Sequence, residues 1–314
     1  MRLQPVIPFE PIQTNTFPSG EQWVAQVKWD GVRMLAYKDG SDTRLVNRRL
    51  NDRTLQYPEI ANIASYCNTD SVILDGEVIA LDHGKPSFYE VMKRDRIQSQ
   101  RSVRTAMLKI PVVYMIFDVL YRNGTWLIER PLQERQDILQ TIVTSSPHVQ
   151  LVENSDDGPG LFAAIQNQGM EGVVIKDLTS PYAIDGKDDR WRKIKNIHDL
   201  IAVIGGMTIR DDAVNALLLG LYTTDGELHY IGHVGAGKLS VKDWQQITSQ
   251  ADKLAVQTIP FATVPSNLRS QTIWLEPVLT VKVTYLEWTS KKTLRHPVLE
   301  AFVDVPPTNC QFTE

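Results

Sequence analysis

Close to residue 198 the texture of the chain changes, and that change limits its fold more than any other feature. Before it, the strand candidates "VILDGEVIAL" and "PVVYMIFDVLY" are mixed with helix candidates. "RPLQERQDILQTIV" opens with Pro131 at a first-turn position and carries Leu132, Ile138, Leu139 and Ile142 at helical spacing. "PGLFAAIQNQG" reads as a second helix, closed by Gly169, that hands over to the strand "GVVIK". After "NIHDL" come "IAVIGGMTI", "NALLLGLYTTDGELHYIGHVGAG" and "WLEPVLTVKVTYLEWT", which read as strands and hairpins with an Asp225-Gly226 turn. A single helix interrupts them, from Ser240 as N-cap through Trp244, Ile247 and Leu254. The expectation is an α+β domain over residues 1–198 and an all-β domain over 199–314, and 314 residues suit two domains.

A five-stranded barrel with one inserted helix is the pattern of the oligonucleotide-binding (OB) fold, which is the expected form of the second domain. With 42% apolar and 22% charged residues the chain has the balance of a soluble globular protein. No run approaches the ~18 apolar residues of a membrane span, and "MRLQPVIPFEP" lacks a continuous apolar core, so neither secretion nor a membrane partner is expected. Cys67 and Cys310 stand far apart without CxxC spacing, and no HExxH occurs, which removes zinc fingers and zincins. A cytoplasmic location follows as an expectation. Net charge is −4, yet residues 93–109, "KRDRIQSQRSVRTAMLK", set six cations against Asp95. Such a run is either a solvated face or a contact for phosphates.

In "VAQVKWDGVRMLAYKDG", Val24 to Gly40, two strands flank a tight break at Asp30-Gly31, and Lys28 falls at the end of the first. A lysine there can be an edge charge that discourages strand pairing, or a nucleophile on rigid backbone beside a turn that admits a ligand. "GHVGAGKLS" nearly matches a phosphate-binding loop, but Leu239 stands where the metal-binding hydroxyl is needed and the segment follows a hairpin. Other motifs bear on Lys28. "KWDGVR" (Lys28 to Arg33) is followed in order by "NRR" (Asn47 to Arg49), "DGE" (Asp75 to Glu77), "FDVLY" (Phe117 to Tyr121), "EGVVIK" (Glu171 to Lys176) and "WRKIK" (Trp191 to Lys195).

This succession resembles the covalent nucleotidyltransferase superfamily: ATP-dependent DNA ligases, RNA ligases and mRNA capping enzymes. The resemblance spans residues 1 to 305 and implies a nucleotidyltransferase (adenylation) domain of antiparallel sheets with flanking helices. It implies that Lys28 takes AMP from ATP, with Mg²⁺ or Mn²⁺ as cofactor. A lysine must shed its proton to attack phosphorus, and cations such as Lys193, Lys195 and a metal disfavour its charged form while neutralising phosphate. By the same resemblance Glu171 holds the metal, Glu77 contacts ribose or metal, and Arg33 and Arg48 bind ribose and phosphate. Phe117 stacks on adenine with Val174 on its opposite face, and Gln26 and Val27 complete the nucleotide site. Taken singly, Glu77 and Glu171 read as surface acids, "WRKIK" as a salt-bridged surface pair and Phe117 as a core aromatic.

"EPVLTVKVTYLEWTSKKTLRHPVLEAF", Glu276 to Phe302, is similar to the closing segment of bacterial end-joining ligases of the ligase D type. There Arg295 would orient the departing pyrophosphate. The implied partner is nicked or broken double-stranded DNA, gripped by the two domains without a preceding DNA-binding domain; a Ku-like end-binding protein, a monomeric state and association with the nucleoid go with that reading. An RNA ligase, a capping guanylyltransferase or a non-catalytic nucleic-acid-binding module are the alternatives. Two departures from the family pattern stand out. Many ligases carry glutamate two residues before the nucleophile, whereas here Gln26 offers an amide oxygen to the adenine amino group. After the "HP" segment the family often has another basic residue, and this chain reads "LEAFVDVPPTNC".

Overall fold

The computed structural model describes residues 3–210, 213–285, 287–289 and 291–312. Its contacts divide the chain into two compact units, Met1–Asn196 and Ile197–Glu314.

The first unit is α+β and is built on two sheets. In the larger, Val32–Asp39 lies between Asp42–Asn47 and Ser71–Asp82, which in turn pairs with Val112–Arg122. In the smaller, the order is Glu10–Gln13, Lys187–Lys195, Gly172–Asp177, Trp23–Val27. Most pairs are antiparallel, as the resemblance implies. Two are parallel: Glu10–Gln13 with Lys187–Lys195, and Val149–Leu151 with Val112–Arg122.

Alternation assigns the faces. On Ser71–Asp82, Val72, Leu74, Val78 and Ala80 enter a core shared with Met34, Ala36, Tyr114 and Ile116. Residues Ile73, Asp75 and Glu77 then occupy the opposite face, where Ile73 joins Leu35, Tyr37, Phe9 and Trp191. Helix Leu132–Ile142 packs Leu139 and Ile142 into the first of these cores. Its buried stripe of Leu132, Arg135, Gln136, Leu139 and Ile142 has helical spacing but includes two polar side chains. Pro131 is the N-cap of this helix, one residue before the first-turn position expected of it. Helix Gly158–Asn167, capped by Asp157 accepting from the Gly160 amide, places Ile165 on Val173, Ile175 and Ile194 of the smaller sheet.

In the second unit His198–Arg210 is the central strand, flanked by Ala213–Tyr222 with Leu228–Val234 on one side and by Thr280–Tyr285 with Val298–Val303 on the other. Thr272–Trp274 also pairs with the central strand. Among the described residues the outer strands do not pair with each other, so the sheet is a curled, open half-barrel and not a closed one. Helix Val241–Leu254 follows Ser240 as expected, with Ile247 in the core and Trp244 packed against it. Among the described residues no helix is long and apolar enough to cross a membrane.

Candidate active site

Three rungs of the smaller sheet carry the candidate residues. Val174 pairs with Gln26 on one side and Lys193 on the other, and Lys176 pairs with Val24 and Trp191. Gly172 pairs with Lys195 and accepts the Lys28 amide at 2.9 Å. Gln26, Lys28, Val174, Lys176, Lys193 and Lys195 therefore share one face, opposite the face that Ile165 covers.

The motif glycines exist because backbones meet there. A Cβ on Gly31 would lie 2.3 Å from the Val78 carbonyl oxygen, so only glycine lets the turn after Lys28 rest on the larger sheet. Gly172 has φ +149°, and a Cβ on it would lie 2.2 Å from the Ile194 carbonyl oxygen. Both positions fix how closely the Lys28 and Glu171 segments approach their neighbours.

Lys28 Nζ donates to Glu171 Oε1, so the proposed nucleophile is anchored by the carboxylate of "EGVVIK". From the larger sheet, Glu77 and Arg33 occupy paired positions. Glu77 is pushed up from 4.5 to about 7, chiefly by burial; Arg33 and Lys28 oppose this, and the Glu171 charge reinforces it. Arg33 forms a fork on Asp75, with Nε to Oδ1 and Nη2 to Oδ2 both 2.6 Å. Tyr182 Oη donates to the same carboxylate at 2.8 Å and accepts the Phe9 amide at 2.8 Å.

Phe117 is the extra residue of a bulge, since Asp75 pairs with Asp118 and Gly76 with Ile116. Bulges re-aim side chains at sites. The half-buried ring has the Arg33 guanidinium carbon 4.5 Å and Lys176 Nζ 3.9 Å from its centroid, with Trp191 against it at 5.9 Å and 81°.

Two models of protein families match the chain: the ATP dependent DNA ligase domain over residues 8–195, and the ATP dependent DNA ligase C terminal region over residues 210–303. The chain belongs to the ATP-dependent DNA ligase family. It is 30% identical over 280 residues to the multifunctional non-homologous end joining DNA repair protein LigD of Mycobacterium tuberculosis H37Rv, covering 87% of this chain and 35% of that protein. It is 29% identical over 235 residues to the SPbeta prophage-derived DNA ligase-like protein LigB of Bacillus subtilis 168, covering 74% of this chain and 82% of that one. A solved structure described as mycobacterial DNA ligase D complexed with ATP and MES superposes with a TM-score of 0.71 at 28% identity, covering 97% of both chains. The ligase-family chain thus spans about a third of the length of its mycobacterial relatives.

Within this ligase fold, Arg48 lies at the rim, with Nη1 3.3 Å from Glu10 Oε1. Arg295 stands exposed in the second unit, on a ribbon where it pairs with Glu287. The basic run is not one surface. Arg94 is fully buried and bonds Glu59 at 2.8 Å and the carbonyls of Gln56 and Ile110, while Asp95 accepts from Arg53 and Tyr57. Lys93 pairs with Glu90 at 2.6 Å. Arg96, Arg101, Arg104 and Lys109 remain exposed cations.

Glu77 and Glu171 suit a hard divalent cation. They supply oxygen donors, and a bound cation would offset the burial that chiefly lifts Glu77 as well as the smaller repulsion from Glu171. Among the described residues no group of three or more His, Cys, Asp or Glu forms a complete metal cage, so substrate phosphates would have to supply further ligands.

Lys176 is the residue the sequence reading passed over. It is 2% exposed, its Nζ has no hydrogen-bond partner among the described residues, and it lies 3.9 Å from the centroids of both Phe117 and Trp191. Burial lowers its pKa from 10.5 to about 7; Asp118 and Asp75 pull upward, Arg33 and Arg135 downward. Between those values the unfolded chain holds a proton that the folded one lacks, so the wild type gains stability from this site as pH rises from 7 toward 10. Lys176→Met lacks that gain. The melting temperature of the variant minus that of wild type should be most positive at or below pH 7 and fall by pH 10; a difference independent of pH would show that Lys176 stays charged.

Proposed function

We propose that this chain is the catalytic core of an ATP-dependent DNA ligase. Lys28 Nζ attacks the α-phosphorus of ATP, a P–N bond forms and pyrophosphate leaves. AMP then passes to the 5′-phosphate of a nick or break, and the 3′-hydroxyl displaces AMP as the phosphodiester closes. The observation that carries this reading is the Lys28–Glu171 bond, set on a lysine-rich strand face with Arg33 and Glu77 on the other sheet.

The chain's own residues divide the work. Glu171 holds Nζ in place and is the nearest acceptor for the proton the amine must lose. Lys193 and Lys195 disfavour the ammonium form of Lys28 and screen the phosphates. Gln26, Val174 and Phe117 take the base, and Val27, whose side chain packs on the opposite face with Ile165 and Val173, can offer only its backbone. Arg33, Arg48 and Glu77 take the ribose and phosphate, and Arg295 the pyrophosphate. Mg²⁺ or Mn²⁺ would be held by Glu77 and Glu171 and would neutralise charge on the phosphates when bound.

The second unit is read as an OB domain, which its curled sheet and the helix Val241–Leu254 support, and closure on ATP followed by reopening onto DNA is part of the same proposal. Arg96, Arg101, Arg104 and Lys109 are the proposed sequence-independent phosphate contacts. Similarity to a mycobacterial non-homologous end joining protein supports broken ends as the substrate; a Ku-like recruiting protein, a nucleoid location in the cytoplasm and a monomeric ligase are further parts of the proposal. The test uses purified protein, divalent metal and ATP labelled at the α-phosphate. Label should enter the protein, chase into AMP-capped nicked DNA and be released on sealing; protein that takes no label even after pyrophosphate treatment, while a known ligase does, sinks the proposal.

A further inference from the structure

A chain of amides runs from the strand of the nucleophile to the helix behind it. Gln26, 2% exposed, donates from Nε2 to Asn154 Oδ1 at 2.8 Å, and Asn154 Nδ2 donates to Gln136 Oε1 at 2.8 Å. Asn154 is brought there by its neighbour Ser155, whose backbone pairs with Ala25 through two bonds of 2.9 Å. Gln136 belongs to the buried stripe of helix Leu132–Ile142. Gln26 lies two residues before Lys28 on the same strand face, roughly 7 Å away along the strand.

An amide has a donor end and an acceptor end, and the direction in which the relay runs sets which end faces the site. With Nε2 engaged by Asn154, Oε1 is the free end; it accepts no hydrogen bond from the described residues. Once a bound base shuts it off from water, such an acceptor favours a donor and leaves an approaching oxygen without a partner. The 6-amino group of adenine is such a donor, whereas the 6-oxo group of hypoxanthine is an acceptor.

We propose that Asn154, backed by Gln136, is a positioning residue that sets purine selectivity by holding the Gln26 carbonyl oxygen toward the 6-position of the base. This rests on the reading that Lys28 accepts a nucleotidyl group. The relay differs from a carboxylate at the same position, which can only accept. Turning all three amides over would keep both internal bonds and present Nε2 instead, so selectivity here depends on side chains outside the motif segments quoted above and is open to change by a single substitution.

The experiment compares ATP with ITP, each labelled at the α-phosphate, as donors to the full chain and reads the ratio of the two kcat/KM values for labelling. Wild type should prefer ATP. Asn154→Ala frees Gln26 to rotate, and the ratio should fall about tenfold, the scale of one hydrogen bond. Asn154→Asp can still accept from Gln26 Nε2 and should keep the preference, whatever its absolute rate. A ratio unchanged in Asn154→Ala, or lost equally in Asn154→Asp, overturns the relay. Wild type labelled by neither nucleotide overturns the nucleotidyl reading instead, and the inference falls with it.

Discussion

Lys28→Ala should leave the purified protein unable to gain an adenylyl group, while wild type incubated with ATP and Mg²⁺ gains one by intact mass. Sealing of a nick from ATP should drop by at least about a thousandfold, some 4 kcal/mol of barrier. The other lysines on the same strand face do not replace Lys28, because Glu171 holds this Nζ in place and attack needs reacting atoms within roughly 3–3.5 Å in line. A nick already carrying AMP on its 5′-phosphate bypasses the lysine, so Lys28→Ala should seal that substrate far better than an unmodified nick. Equal loss on both substrates would point to a misfolded or DNA-blind variant and not to a missing nucleophile. If wild type gains no mass, pyrophosphate treatment first strips any AMP it already carries, and a second failure removes Lys28 from its role.

What the sequence made readable was whatever depends on neighbours along the chain. The Lys28 turn, the "DGE" strand and the "EGVVIK" strand follow from alternation and glycine placement, and the helix after Ser240 follows from the spacing of Trp244, Ile247 and Leu254. Contacts across long separations were not readable. Lys176 looks like one more polar residue on a strand; its burial depends on Phe117 and Trp191, contributed by two other strands. The bulge that turns Phe117 toward the cations leaves no local signature in "MIFDVL". Arg94 appears as one of six cations in a basic run, and only its bonds to Glu59, Gln56 and Ile110 take it out of the surface. Gln26 and Asn154 stand 128 residues apart, and no periodicity links them. The open curl of the second sheet likewise depends on which edges pair, which strand propensity does not encode.

The largest stability effect should come from "FDVLY" as well, but from Asp118 and not from Phe117. Asp118 and Arg135 are both fully buried and joined by two bonds of 2.8 Å, and Arg135 Nη1 also donates to the carbonyls of Arg130 and Ser180 at 2.6 and 3.2 Å. Removing one partner leaves a buried charge uncompensated, so Arg135→Met or Asp118→Leu should each destabilise the first unit by about 3–5 kcal/mol. The corresponding drop in melting temperature is about 6–20 °C at the size of this unit. The double variant removes both charges and should lose clearly less than the sum, which a denaturant-based double-mutant cycle measures. Additive losses would mean that the ion pair is not the unit of stability and that the carbonyl bonds of Arg135 dominate. Arg135 adjoins Gln136, and Asp118 adjoins the bulged Phe117. The pair therefore ties the helix that anchors the amide relay to the strand that aims the aromatic ring, and the single variants should weaken ATP binding even at temperatures where they remain folded.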